Sequence, residues 1–486
     1  LCSKFYIINQ NGFILVDMVR VFVIFFVLIL VSCGSLPENS VQQNTASFRR
    51  DGYPEVRIYT LGLVNNEGKP AISTFIEIEP RSIVTIQSGK ELKAELSIEL
   101  IISGKFEGVT KSFSSVSSID LADEIRKKSG LPYVHRQQFE TPVGEFRVVA
   151  QITDAQSGKT ATVASIAHVP NPKSDKIDMS DLALLVKDGE SFEPFIGSMI
   201  PRRFDSLQLY SQVFPGKQQL KSVRISLSRL PSDSLPARRL FDQNYIPGQL
   251  GFKGVDFDEE TIVETTTIPL KSSNQTLLEV TSAFSMPSEG IYRFSLELES
   301  DSVLEKTSKS SILFSVRSSY FPFIRTPREL AEPLFYLMDD DEYSALLSES
   351  NPDTIKKKVD LFWLKNLGSA RLARQSIQLY YERVEEANKR FTTFKEGWKT
   401  DPGMIYILLG SPKAVDQNFR DILWAYGMYQ NPQLFDPEQT FVFTEVLTDR
   451  SYFPYEHYLL RRSQNYFQIQ RRIIEDWLTG YNLRAN

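Results

Sequence analysis

The sequence predicts a multidomain protein: two all-β, sandwich-like (Ig-like) domains followed by an α+β C-terminal module. Three observations carry this reading. The chain has 486 residues, more than one ordinary hydrophobic core takes up. Between about Tyr53 and Val316 apolar side chains recur at alternate positions, the period of half-buried strands. After Phe321-Pro322-Phe323-Ile324 the period lengthens to three and four, as a helix needs to bury one stripe.

In the first β region, Val56 to Tyr59 and Ser73 to Ile78 open as strands. Leu92 to Leu100 then alternates cleanly between one apolar and one polar face. Ile119 to Lys128 reads as a short helix. Gly144 to Asp154 is a strand, and Ser157-Gly158-Lys159 turns it into Ala161 to Ala167, a hairpin of the sandwich type.

In the second, Leu182 to Val186, Leu207 to Val213, Val223 to Leu227, Thr261 to Ile268, Leu277 to Val280, Gly290 to Leu298 and Ser311 to Val316 are the expected strands. Leu230 to Pro247, rich in proline and charge, is a long loop. Gly144-Glu145-Phe146-Arg147 and Gly290-Ile291-Tyr292-Arg293 open strands at similar places, which points to two domains of similar design.

Helices follow from Pro327, with Leu330, Leu334 and Leu337 on one stripe. Asp339-Asp340-Asp341 is a capped, solvated helix start. Asn351 caps a helix with Pro352 at its first position, and Gly368 ends it. Ala370 to Phe391 is the next helix. Met404 to Leu409 is expected as a strand, joined in a small sheet by Trp424 to Tyr426 and Phe441 to Thr444. A final amphipathic helix, Tyr466 to Leu478, carries Ile469, Ile473, Ile474 and Trp477 on its apolar side. Arg461, Arg462, Arg471 and Arg472 supply the basic residues. Docking of this helix on the small sheet is preferred over a membrane-surface role.

Gly397-Trp398-Lys399-Thr400-Asp401-Pro402-Gly403 lies between these helices and the sheet. This run, with Tyr381 to Val384 and Ala387 to Phe391 before it and Tyr406 to Gly410 and Pro412 after it, closely resembles the signature of the GWxTD domain family of bacterial proteins. The signature residues are Gly397, Trp398, Thr400 and Asp401. The resemblance covers about Pro327 to Asp449 and implies an α+β domain on an exported protein, behind β domains. It implies no reaction.

Two readings of the motif stand side by side. In one, Thr400 or Asp401 accepts N–H bonds in a tight turn, Trp398 locks helix to strand, and Gly397 lets the chain reverse. In the other, Trp398 and Asp401 frame a recognition surface with Arg383 or Asn388. Acid–base chemistry at Asp401 lacks an identifiable partner in the sequence.

Near the start, Val21 to Val31 is an apolar run behind Met18-Val19-Arg20 and ahead of Ser32-Cys33. It is shorter than the roughly 20 residues a spanning helix needs and suits the core of a signal peptide. It resembles the signal of bacterial lipoproteins, which implies cleavage before Cys33 and lipid attachment on it. Met18 is read as the initiator. Gly34 and the lack of an acidic run after Cys33 imply the outer membrane, periplasmic side, with the cell surface as alternative. The expected layout is leader and signal peptide 1–33, flexible tether 34–52, first sandwich 53–172, second sandwich 173–319 and GWxTD module 320–486.

A net charge of -5 from 55 basic and 60 acidic side chains does not fit a nucleic-acid partner. The only other cysteine, Cys2, lies in the leader, so no internal disulfide is expected. The three histidines, His135, His168 and His457, are too few for a histidine-rich metal centre, and His457 reads as a surface residue. A phosphate-binding glycine loop, His-Glu-x-x-His and Gly-x-Ser-x-Gly are all missing. No catalytic residue, metal or cofactor is therefore expected. The sequence supports a non-catalytic scaffold or interaction component of an envelope assembly, held to the membrane by its lipid and bound to an envelope protein. The alternative is a peptide- or glycan-binding protein, or a hydrolase of cell-envelope polymer.

Overall fold

The computed structural model describes residues 53–483 except 89–90, 107–108, 128–131, 196, 242–253, 271–276, 301–306, 419, 427–439, 447–456 and 465. Cys33 and the tether lie outside the described residues. The described part is mostly β-sheet, with helices gathered toward the C-terminus.

In the first β unit, β1 (Val56–Val64) and β2 (Pro70–Ile78) form an antiparallel hairpin in register from Val56↔Ile78 to Val64↔Pro70. The short pair β3 (Ile86–Ser88) and β4 (Glu91–Lys93) leads into β5 (Glu95–Phe106) and β6 (Val109–Asp120). Helix α1 (Ala122–Lys127), β7 (Tyr133–Glu140), β8 (Gly144–Asp154) and β9 (Thr160–Val169) follow. Two sheets result, ordered β1-β2-β7 and β6-β5-β8-β9. Their inner faces share one core, which includes Ile72, Ile76, Leu96, Ile98, Leu100, Phe146 and Val148. The clean alternation of Leu96 to Ile102 is that inner face. Ile119 and Asp120 belong to β6 rather than to a helix. The Asp120 carboxylate accepts from Ala122 N at 2.9 Å and Ala94 N at 3.1 Å, so the helix starts three residues later than expected.

The second unit contains β10 (Asp178–Met179), β11 (Ala183–Asp188), β12 (Ser191–Pro194), β13 (Met199–Pro201), β14 (Ser206–Phe214) and β15 (Leu220–Leu230). These are followed by β16 (Thr261–Pro269), β17 (Leu278–Ser285), β18 (Gly290–Ser300) and β19 (Thr307–Arg317). One sheet runs β10-β14-β11-β12, with β17 also on β14; the other runs β13-β19-β18-β15-β16. Leu207, Leu209, Ile225, Phe284, Phe294, Leu296 and Phe314 fill the space between them.

In the C-terminal region, α2 (Pro327–Ala331) opens with a Thr326–Glu329 capping box. Asp339 caps α3 (Asp340–Leu347), and Asn351 caps α4 (Pro352–Leu367), which ends at Gly368 with φ 61°. Ser369 caps α5 (Ala370–Phe391). Next comes α6 (Asp401–Leu409), where the sequence pattern predicts a strand. Pro402 to Leu408 is buried on every side, so the run has no polar face and no helical period to read. The small sheet is instead β20 (Ala414–Gln417), β21 (Asp421–Ala425), β22 (Thr440–Glu445) and β23 (Tyr458–Leu460), antiparallel and in that order.

The last helix, α7 (Tyr466–Thr479), starts after Arg461 and Arg462. Its first turn reaches the sheet through Tyr466, whose hydroxyl donates to Thr440 O at 2.9 Å. Its far end packs among helices: the Trp477 ring lies 5.1 Å from Tyr380, and its N–H donates to Leu408 O at 3.0 Å. Docking is thus shared between sheet and helices. The long loop expected after β15 also contributes to packing, because Ala237 and Leu240 in its described part enter the C-terminal core. There Leu240 N donates to Gln470 Oε1 at 2.8 Å.

Hydrogen bonds tie these units together. The Gln212 carboxamide accepts from Val64 N at 2.7 Å and donates to Val64 O at 2.9 Å, pairing like a strand neighbour. Arg317 Nη2 donates to Thr393 O at 3.0 Å, and Arg57 Nη2 donates to Lys389 O at 3.0 Å.

Candidate functional site

The signature residues lie inside the C-terminal core. A Cβ on Gly397 would stand 1.8 Å from Ala387 O, and one on Gly403 would stand 1.8 Å from Gly397 O. Both positions are closed to any side chain, so the glycines serve close backbone approach. The hydroxyl of Thr392 donates to Asn388 O at 2.6 Å and accepts from Gly397 N at 2.7 Å. Asn388 Oδ1 accepts from Trp398 N at 3.2 Å, and its Nδ2 donates to Pro322 O at 3.2 Å. Trp398 is 4% exposed, and its carbonyl accepts from the Tyr336 hydroxyl at 2.7 Å.

Thr400 is the N-cap of α6. Its Oγ1 donates to Gly397 O at 2.7 Å and accepts from Gly403 N at 3.1 Å. Asp401, also 4% exposed, accepts from Leu460 N at 2.7 Å and takes a bidentate grip from Arg462 at 2.7 and 2.9 Å. Burial pushes the Asp401 carboxyl up, but the Arg462 charge and hydrogen bonds outweigh it and hold the group below the usual carboxylate range. Arg462 also donates to the carbonyls of Arg238 and Arg239, at 3.1 Å each. One guanidinium therefore joins the long loop, the start of α6 and the end of β23.

Arg383 donates to Ile407 O at 3.2 Å and Leu408 O at 3.4 Å, neutralising the carbonyl end of α6. Trp398, Asp401, Arg383 and Asn388 thus share a neighbourhood but spend their polar groups on the fold. The sequence offered no sign of Arg462 as the partner of Asp401, since 61 positions separate them.

His457 is a correction to the sequence reading. It is 3% exposed, with its ring 4.8 Å from Phe394 and Nδ1 3.3 Å from Thr393 Oγ1. Burial, then the Lys395 charge, lower its pKa to about 3.

Beside this node, where the two β units meet the C-terminal helices, lies a cleft of about 1700 Å³. Asn388, Lys389 and Arg390 from α5 line one side, and Arg57, Tyr59, His168, Asp178 and Asp181 line another. Phe195, Phe204, Tyr320 and Phe323 add aromatic surface, and Lys309 to Leu313 of β19 contribute a stretch of strand. Arg57 pairs with Glu77 at 3.1 Å.

His168 Nε2 lies 2.8 Å from Asp178 Oδ1, and Asp181 Oδ2 accepts from Gly62 N at 3.0 Å and His168 N at 3.1 Å. The Asp178 hydrogen bond raises the His168 pKa against burial, while burial raises Asp181 to about 6. Asp178 and Asp181 escaped the sequence reading because two aspartates at the start of the second β region match no recognisable motif. Among the described residues no group of three or more His, Cys, Asp or Glu side chains could hold a metal ion.

Comparison with known proteins places the node in context. No curated protein matches the chain. Among solved structures, red sea bream transglutaminase is 10% identical over 54% of this chain and 31% of its own, with TM-score 0.16. Salmonella alpha-2-macroglobulin reacted with methylamine is 13% identical over 57% of this chain and 17% of its own, with TM-score 0.18. The chain therefore spans under a third of either protein, and at these scores neither likeness bears on the fold or function. The model of the GWxTD domain matches residues 300–479, a span that holds Gly397, Trp398, Thr400, Asp401 and the Arg462 that grips it. Residues 300–479 of the chain are thus a GWxTD domain.

Proposed function

We propose that this protein is a non-catalytic scaffold, or protein-interaction component, of a bacterial envelope assembly. In this reading Cys33 carries a lipid that holds the chain at the outer membrane, on the periplasmic side or, alternatively, at the cell surface. The two β units are Ig-like sandwiches that set the distance of the GWxTD module from the membrane. One observation carries the reading: the polar groups of the signature bind one another, while buried bonds such as Gln212–Val64 and Arg317–Thr393 fix three units around a large cleft. A fixed multi-unit body with a wide recess suits holding a partner. No described helix is long and apolar enough to cross a membrane.

Cross-linking in intact cells, followed by mass spectrometry of the purified protein, tests this. A stoichiometric envelope protein linked to the 320–486 module is expected. A chain that runs alone in native envelope extracts and yields only self-links would sink the proposal. Peptide or glycan binding, or hydrolysis of envelope polymer, would then take its place. The mixture of aromatic rings and carboxylates in the cleft favours that second reading.

A further inference from the structure

We infer that the edge of β19 inside the cleft is a docking slot for an extended peptide, which adds to the sheet as a strand. This rests on the interaction reading above and gives its partner a chemistry.

The slot follows from register. β19 pairs along its length with β18, without a shift, from Gly290↔Val316 to Glu299↔Thr307. On its other side it pairs only with β13, at Met199↔Ser315 to Pro201↔Arg317. Ser315 N donates to Ser198 O at 2.7 Å, and Arg317 O accepts from Arg202 N at 2.9 Å. Residues 315 and 317 therefore point their main-chain groups away from β18. In a strand that direction alternates, so Leu313, Ser311 and Lys309 point theirs the same way. Among the described residues no strand pairs with β19 there.

The gap has a structural cause. Immediately before β13 the chain belongs to the opposite sheet, where Phe195 N donates to Leu184 O at 2.8 Å. Among the described residues no strand continues the position that β13 begins beside residues 309–313, an edge of about 17 Å.

This edge is not simply open to solvent. Lys309 to Leu313 line the same cleft as Arg57, Phe204, Tyr320 and Lys389. The volume of about 1700 Å³ exceeds the range of roughly 300–1,000 Å³ typical of small-molecule sites and suits a polymer segment. Unpaired edges invite strand addition, and main-chain pairing supplies affinity while flanking side chains select sequence. The outer strand β16 makes a contrast. Its Ile262 and Val263 are 66% and 51% exposed, and none of its residues lines the cleft.

The test uses the full chain purified in detergent and a random library of ten-residue display peptides. Peptides should be enriched, and binding should slow amide hydrogen exchange at Lys309, Ser311 and Leu313. Ser311→Pro removes an outward N–H without touching the β18 ladder and should weaken the selected peptide at least tenfold, whereas Ser311→Ala should leave it unchanged. No enrichment, protection at other amides, or equal binding by a folded Ser311→Pro variant would overturn the inference. If Ser311→Pro does not fold, the exchange pattern of the unaltered chain decides alone. A partner cross-linked in cells but away from the cleft would leave the scaffold reading standing and refute the slot. Peptide binding in vitro with no partner in cells would do the reverse.

Discussion

Arg462 holds Asp401 through both terminal nitrogens, and both side chains are almost fully buried, at 6% and 4% exposure. The pair converts the last signature residue into a tether for a strand and a loop far away in sequence. Removing one partner strands the other charge in the interior, which costs about 3–5 kcal/mol. Asp401→Asn and Arg462→Ala should each lower stability by that order in denaturant titration. An Asp401→Asn/Arg462→Ala double variant should lose less than the sum of the singles. Additive losses would show that the two side chains act separately.

Gly397 and Gly403 make a second, purely steric prediction. The added methyl of Gly397→Ala or Gly403→Ala would meet backbone carbonyl oxygen rather than a movable side chain. Each should destabilise by more than about 3 kcal/mol, at the upper end of overpacking costs. Gly68→Ala is the control, since nothing lies within 4 Å of its Cβ and only its φ of +76° opposes the change. Thermal unfolding of the three variants should rank them accordingly.

How much of this was legible depends on whether burial was one-sided. Leu96 to Leu100 and Leu207 to Val213 alternate because one face meets the core, and both were read correctly as strands. The caps at Asn351 and Asp339 and the stop at Gly368 were equally plain, since local chemistry decides them. The strand β6 was largely missed because serines fill it and only weak alternation remains. Met404 to Leu409 was misread because total burial erases the helical period. The partners of Asp401 and His457 are set by tertiary packing, which no local pattern encodes.

Gln212 joins the two β units through both polar atoms of its side chain, inside a buried contact with Val64. Gln212→Ala would leave the N–H and C=O of Val64 unsatisfied, a loss of about 1–3 kcal/mol for each stranded group. Destabilisation should concentrate at the junction. Limited proteolysis should then cut faster near residues 170–178 while the cores of both sheets stay protected. Uniform loss of protection would mean that the two units unfold as one.

The same junction should respond to pH through Asp181. Its folded pKa is raised to about 6 from 3.8, first by burial, with the Gly62 and His168 N–H groups opposing. Between those values the folded state binds more protons than the unfolded state, so stability falls as pH rises through the window. The loss amounts to at most about 3 kcal/mol. His168 acts in the same direction: its raised pKa gives stability that is present below 6.5 and lost as pH climbs through the folded value. Asp178, held low despite burial by His168 and the N–H groups of Asn171 and Met179, contributes above 3.8. Glu145 also faces the group and favours protonation of both His168 and Asp181. The melting temperature should therefore be highest near pH 4 and decline toward pH 8. Asp181→Asn keeps an oxygen to accept from Gly62 and His168 but carries no charge to bury. It should match the parent near pH 4 and exceed it at pH 8, while His168→Gln should remove part of the remaining slope. An Asn variant less stable than the parent at pH 8 would mean that the ionised carboxylate, despite its burial, strengthens the junction.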